Sequence, residues 1–166
     1  MKNETQWSRG ERTLLTIFIV LLVMIVGSVI LIIKSDAPLN QAKKEATTIA
    51  KQYAKMNKVE DFYHFTRKET YYSVLGTDDT GREIAVIVPK NGSKITVLEQ
   101  SKGITAQQAG AIVLKQYDVS KVRNINLGIF DNKPVWEVVG EHENGTISYY
   151  LLSFEDGAKV SNTNEV

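Results

Sequence analysis

KPVWEVVGEHENGTISYYLLSFEDGAKV, residues 133–160, decides the fold. Two β-rich runs, 134–141 and 146–154, flank Glu143-Asn144-Gly145, and Asp156-Gly157 turns the chain into a short third run at 159–161. Asn-Gly and Asp-Gly between such runs are the residues that tight hairpins require, so the stretch reads as an antiparallel meander. Upstream, 122–130 is a further strand closed by Asp131-Asn132. Before it, ITAQQAGAIVLKQY (104–117) opens with Thr105 followed three residues later by Gln108, a T-x-x-Q capping box that starts a helix running to about Tyr117. The second half is therefore a helix followed by a meander.

The first half repeats this order. Asp36 caps a predicted helix whose first turn tolerates Pro38, with Ala42, Ala46, Ile49, Ala50 and Tyr53 on one face. Strands are predicted at 61–66, 70–77, 83–89 and 94–99, with Thr77-Asp78-Asp79-Thr80-Gly81 and Asn91-Gly92 as turns. Sliding the chain by 64 residues aligns Ala42 with Ala106, Lys51-Gln52-Tyr53 with Lys115-Gln116-Tyr117, Val74 with Val138, Gly76 with Gly140 and Gly81 with Gly145. Seven identities barely exceed the roughly four that composition alone gives, so the weight rests on their matching places within the elements.

Each unit is too small to gain more than marginal stability from its own core without disulfides or metal, so the two are expected to pack together. In each, an amphipathic helix covers one sheet face, supplying Ile49 and Tyr53 or Val113 and Tyr117. The other face is left to solvent, to the twin unit or to a partner. Tyr71, Tyr72, Trp136, Tyr149 and Tyr150 crowd the central strands, and strand alternation turns adjacent members to opposite sides. One of each pair packs under the helix; the others serve inter-unit packing or a partner-binding surface, for which these five are the candidates.

Ahead of both units, LLTIFIVLLVMIVGSVILII (14–33) runs twenty residues without a charge. A helix of that length covers the roughly 30 Å hydrocarbon core of a bilayer. The segment is longer than a signal-peptide core, and Pro38 after the small residues Ser35 and Ala37 makes a poor cleavage site, so an uncleaved anchor is expected. Lys2, Arg9 and Arg12 place the short tail inside; Lys34, Lys43 and Lys44 follow the span but belong to a large domain that translocates largely regardless of charge. The expected organisation is a cytoplasmic tail (1–13), a transmembrane anchor (14–33), a linker (34–38), a first helix-plus-sheet unit (39–100) and a second (101–166), with the folded part outside the cell membrane. The fold class is α+β.

Composition excludes much. Twenty basic and nineteen acidic residues leave no charge excess for wrapping nucleic acid. The absence of cysteine removes disulfides, thiolate metal sites and cysteine nucleophiles. His64 and His142 have no ligand spacing around them, and no nucleophile motif, phosphate loop or dinucleotide fingerprint occurs. Glu137, Glu141 and Glu143 read as solvated strand and turn residues rather than a carboxylate pair for glycan hydrolysis. Asn91-Gly92-Ser93 and Asn144-Gly145-Thr146 match glycosylation sequons but read as hairpin turns. No enzyme activity, cofactor or metal is expected.

With the anchor, the doubled unit and the two quoted second-half segments in view, the chain resembles the YpmB-like, or TseB-like, family of bacterial cell-wall elongation regulators. Its second half resembles a PepSY domain, carried by Trp136, Tyr149, Tyr150 and Asp156-Gly157. Glu155-Asp156-Gly157-Ala158 departs from the common Asp-x-x-Thr-Gly form, which puts the register of that strand in question. The resemblance implies tandem cystatin-like units and a non-enzymatic role near the elongation machinery, by binding a penicillin-binding protein or other cell-wall elongation component. The alternative it leaves open is an inhibitor or chaperone of an extracytoplasmic protease. It supplies no catalytic residues.

Overall fold

The computed structural model describes the backbone of residues 9–161 and the side chains of 14–26 and 38–160; the tail charges Lys2, Arg9 and Arg12 and residues 162–166 lie outside the described side chains. Helix α1 (Arg9–Ala54) leads into strands β1 (Met56–Thr66), β2 (Thr70–Asp78), β3 (Glu83–Pro89) and β4 (Thr96–Glu99). A single 3-10 turn (Gln100–Lys102) and helix α2 (Ala106–Gln116) follow, then β5 (Lys121–Phe130), β6 (Lys133–Glu141), β7 (Ile147–Ser153) and β8 (Lys159–Ser161). The strands form two four-stranded antiparallel meanders, ordered β1-β2-β3-β4 and β5-β6-β7-β8. This is the α+β arrangement expected.

The chain divides into two compact units, residues 1–41 and 42–166. In the first, every large apolar side chain from Leu14 to Val26 is at least 46% exposed, on all sides of α1. Among the described residues no helix is long and apolar enough to cross a membrane; residues 27–33 of the predicted span lie outside them. The helix expected to begin at Asp36 is instead the last part of α1, whose backbone stays helical through 34–38 and past Pro38. Proline removes one backbone hydrogen bond, and the helix-favouring residues around it, Ala37, Leu39, Gln41 and Ala42, carry the helix across.

In the second compact unit α1 lays Ala46 and Ala50 on Val74, Ile84, Val86 and Val88. Alanines let the helix approach the sheet closely. Tyr53, expected on this buried face, is 73% exposed. The chain reverses at Lys55, with φ of 51°, and buried Met56 fills the space beneath the last helical turn. On α2 the capping box forms as read: Thr105 accepts from the Gln108 amide, and the Gln108 side chain accepts from the Thr105 amide. Ala109 and Val113 then join Val138, Tyr150 and Leu152 in the core.

The remaining face of the first sheet meets the second unit. Leu75, Ala85 and Ile87 share one core with Leu127, Trp136 and Phe154, and the buried Ser73 hydroxyl donates to the Leu127 carbonyl at 2.7 Å. Phe65 packs onto the backbone at Gly128, where a Cβ would collide with its ring. Burying these faces together gives the two small units a core that neither has alone.

The duplication is visible in register. Tyr71↔Pro89 and Tyr72↔Val88 recur 64 residues on as Val135↔Ser153 and Trp136↔Leu152. The helix and first strand are displaced by 63 instead: Ala46 and Ala50 correspond to Ala109 and Val113, and His64↔Tyr72 to Leu127↔Trp136. The second hairpin holds one residue more between matched positions: β5 and β6 continue to the pair Phe130↔Lys133 and close on Asp131 and Asn132, both at positive φ, whereas β1 and β2 end at Thr66↔Thr70 and close through residues 67–69. The Tyr53–Tyr117 match is therefore not structural, for Tyr117 caps α2 and packs on Tyr150, with ring centroids 4.5 Å apart.

Candidate interaction surface

The five aromatic candidates separate. Trp136 and Tyr150 are 1% and 8% exposed and belong to the core beneath α2, so neither offers a surface. The Trp136 indole donates to the Ile104 carbonyl at 2.9 Å, and Tyr63 meets the indole ring edge-on. Tyr72 stands on the α1 side of the first sheet, stacked between Phe62 and His64. Tyr71 is half-buried between the units; its hydroxyl donates to Glu69, and burial with that carboxylate pushes its pKa up to about 12. Tyr149 alone is exposed, at 39%, on the outer face of the second sheet, opposite buried Tyr150 as strand alternation requires.

Around Tyr149 the face is apolar at the centre and charged at the margins. Val139 lies directly across the ladder from it, and exposed Ile147 pairs with Glu141 one step along. Arg123 donates to Glu141, and this bond holds the Glu141 carboxyl below the usual carboxylate range. On the other side the Arg67 guanidinium lies 4.9 Å from the Tyr149 ring centroid, a cation–π contact that fixes one face of the ring.

Arg67 comes from the first unit. It lies in the β1–β2 turn, and its Nε donates to Glu137 on β6 at 2.5 Å. Glu137, expected as a solvated strand residue, is 5% exposed and held by Arg67. Beside it Lys68 donates to Asp131 at 2.8 Å. The β1–β2 turn is thus fastened across the second sheet and borders the Tyr149 face. The available sequence signal was a single charge inside the apolar run Val135-Trp136-Glu137-Val138-Val139, which marks a buried partner rather than a solvated face.

Among the described residues no three His, Asp or Glu side chains are grouped to hold a metal ion. His142 is engaged by the Ser148 hydroxyl at 2.9 Å, and His64 by Thr66. The cavity between the units, lined by Asp61, Tyr63, Gln100, Thr105 and Trp136, holds about 80 Å³. Ordinary ligand pockets run to about 300–1,000 Å³.

Comparison with known proteins follows the same division into units. Residues 45–89, from α1 to the end of β3, match the cell wall elongation regulator TseB-like domain, and residues 103–161, from before α2 to β8, match the peptidase propeptide and YPEB (PepSY) domain. The probable cell wall elongation regulator TseB of Bacillus subtilis (strain 168) is 31% identical over 152 residues, covering 88% of this chain and 94% of that protein. The chain belongs to the TseB-like family. A solved structure, the YpmB protein from Bacillus subtilis, superposes with a TM-score of 0.64 at 30% identity, over 71% of this chain and 93% of that one. For a TseB-like chain, the PepSY match ending at residue 161 takes in β8, the strand whose register Asp156-Gly157 put in question. Its register is fixed by Leu151↔Ser161 and Leu152↔Lys159, across an irregularity.

Proposed function

We propose that this chain is a membrane-anchored regulator of cell-wall elongation that acts by binding a peptidoglycan-synthesising penicillin-binding protein. Its tail is cytoplasmic, its anchor is residues 14–33, and both folded units lie outside the membrane. The observation that carries the reading is the family relationship, which extends over 88% of the chain and both folded units. Support for the anchor comes from residues 14–26, whose large apolar side chains are exposed all round the helix. A helix apolar on every side needs an apolar medium, and the uncharged sequence continues to Ile33. The family's name carries the cell-wall part of the proposal and the partner is the finer step.

The mechanism is scaffolding. An anchor confines the domain to two dimensions and raises its effective concentration beside a membrane-bound synthase, so a face of modest affinity suffices. Tyr149, Ile147 and Val139, rimmed by Arg67 and by Arg123–Glu141, form that face: an aromatic anchor within a charged margin, the composition of interaction hot spots. The test is a photoreactive residue at position 149 in intact cells. Capture of a penicillin-binding protein, together with altered cell width on deletion, supports the proposal; capture of no peptidoglycan-synthesis enzyme and unchanged growth refute it.

A further inference from the structure

The two ends of the first sheet differ in charge, and the chain enters the unit at one of them. The second compact unit begins at Ala42; from there α1 runs to Ala54 and β1 returns alongside it, bringing Phe62 beneath Lys43, whose ammonium lies 5.8 Å from the ring centroid. Because β1 returns, its far end at Thr66, the 67–69 turn and the 90–95 loop all lie at the end where the chain enters the unit. The Lys90 amide donates to the Thr70 carbonyl at 2.9 Å, tying the turn to the loop. Between them opens a cleft of about 470 Å³ lined by Lys68, Glu69, Thr70, Lys90 and Asn91.

Lys43, Lys90 and Lys94 are exposed at this end. Of the acidic groups beside them, Glu69 accepts the Tyr71 hydroxyl and Asp131 is paired with Lys68. At the opposite end the signs are mixed, with Asp79 facing Lys55, Glu60 paired with Lys58 and Asp78 with Arg82, so the exposed excess of basic charge gathers where the chain enters. Residues 34–41 are all that separates the proposed anchor from this unit, and eight residues span at most about 28 Å however they are arranged.

We propose that the Lys43–Lys90–Lys94 end docks on anionic phospholipid headgroups of the leaflet it faces, with the cleft between Lys68 and Lys90 seating a headgroup phosphodiester. The inference rests on the anchor reading. Exposed lysines near an anionic surface each contribute about fivefold to the docked population, and tethering supplies the local concentration. Docking would fix the orientation in which the Tyr149 face is offered to a partner in the same membrane.

The chain has no cysteine, so single-site labelling is clean. Full-length chain is reconstituted in nanodiscs with a fluorophore at Ser93→Cys, in the 90–95 loop, or at Asp79→Cys, at the opposite end. Quenching by headgroup-labelled lipid is compared in phosphatidylglycerol and in all-phosphatidylcholine discs. Expected is stronger quenching at 93 than at 79, dependent on phosphatidylglycerol and weakened about fivefold in docked-to-undocked ratio by Lys90→Gln or Lys94→Gln. Equal quenching at the two sites or no dependence on anionic lipid overturns the docking while leaving the anchor intact. A chain that does not co-elute with the discs overturns the anchor and the docking together.

Discussion

Arg67 and Glu137 are seventy residues apart in sequence and 2.5 Å apart in the fold, joined by a hydrogen bond between the first unit's hairpin turn and the second unit's central strand. The same guanidinium covers one face of Tyr149. One side chain therefore both fastens the two repeats and shapes the margin of the candidate surface.

Removing either partner leaves the other charge poorly compensated in a water-poor site. Glu137→Ala is expected to destabilise the domain by about 3 kcal/mol, whereas Arg67→Met combined with Glu137→Leu stays within about 1 kcal/mol of the parent. Urea unfolding of both variants checks this, and equal losses in the two would contradict it.

Much of this arrangement was legible and part was not. Periodicity and turn residues located the strands and α2 because each signal is local: Asn-Gly turns, the Thr105–Gln108 box, alternating apolar residues. The α1 boundary was not, because a cap at Asp36 and Pro38 in a first turn also suit a helix that passes through. Tyr53 was misplaced because periodicity records a helix face but not where the sheet beneath it ends. Trp136 and Tyr150 could be told from Tyr149 only once α2 covered one side of the second sheet. The Arg67–Glu137 bond joins distant segments, which no window of sequence contains.

Asp78 gives the fold an acid limit. Its carboxylate accepts from the Thr80 hydroxyl and amide and from Arg82, which hold it well below the usual carboxylate range. A depressed carboxyl contributes stability that is fully present above its unfolded pKa, about 3.9, and lost as pH falls through the folded value. Asp78→Asn should lower stability near neutrality and flatten the decline below about pH 4. Thermal unfolding from pH 7 to pH 2 reads it; parallel curves for parent and variant would contradict it.

At the high-pH end Tyr71 acts with the opposite sign. Its phenol pKa is raised to about 12, so its contribution is complete below the unfolded value of about 10 and lost as pH rises toward the folded one. Tyr71→Phe should remove that alkaline loss, visible as a flatter stability curve between about pH 10 and 12.

Gly128 has no room for a side chain, because a Cβ there enters the Phe65 ring. Gly128→Ala should cost about 1–3 kcal/mol, with part recovered by Phe65→Leu in the same chain. Additive losses in the double variant would argue against this contact as the point where the units meet.

Surface and core aromatics should respond differently. Tyr149→Ala should leave the unfolding midpoint nearly unchanged while weakening partner capture by at least about thirtyfold, as for an interface anchor. Trp136→Ala should cost about 3–5 kcal/mol of stability. Capture and denaturation measured on the same preparations separate the two effects.

The central claim is that the N-terminal helix holds both folded units on the outer side of the membrane. Ser101→Cys, exposed in the 3-10 turn, introduces the chain's sole thiol. Treating intact, wall-stripped cells with a membrane-impermeant maleimide should label it as fully as treatment after lysis. Labelling that appears only after lysis would contradict the account.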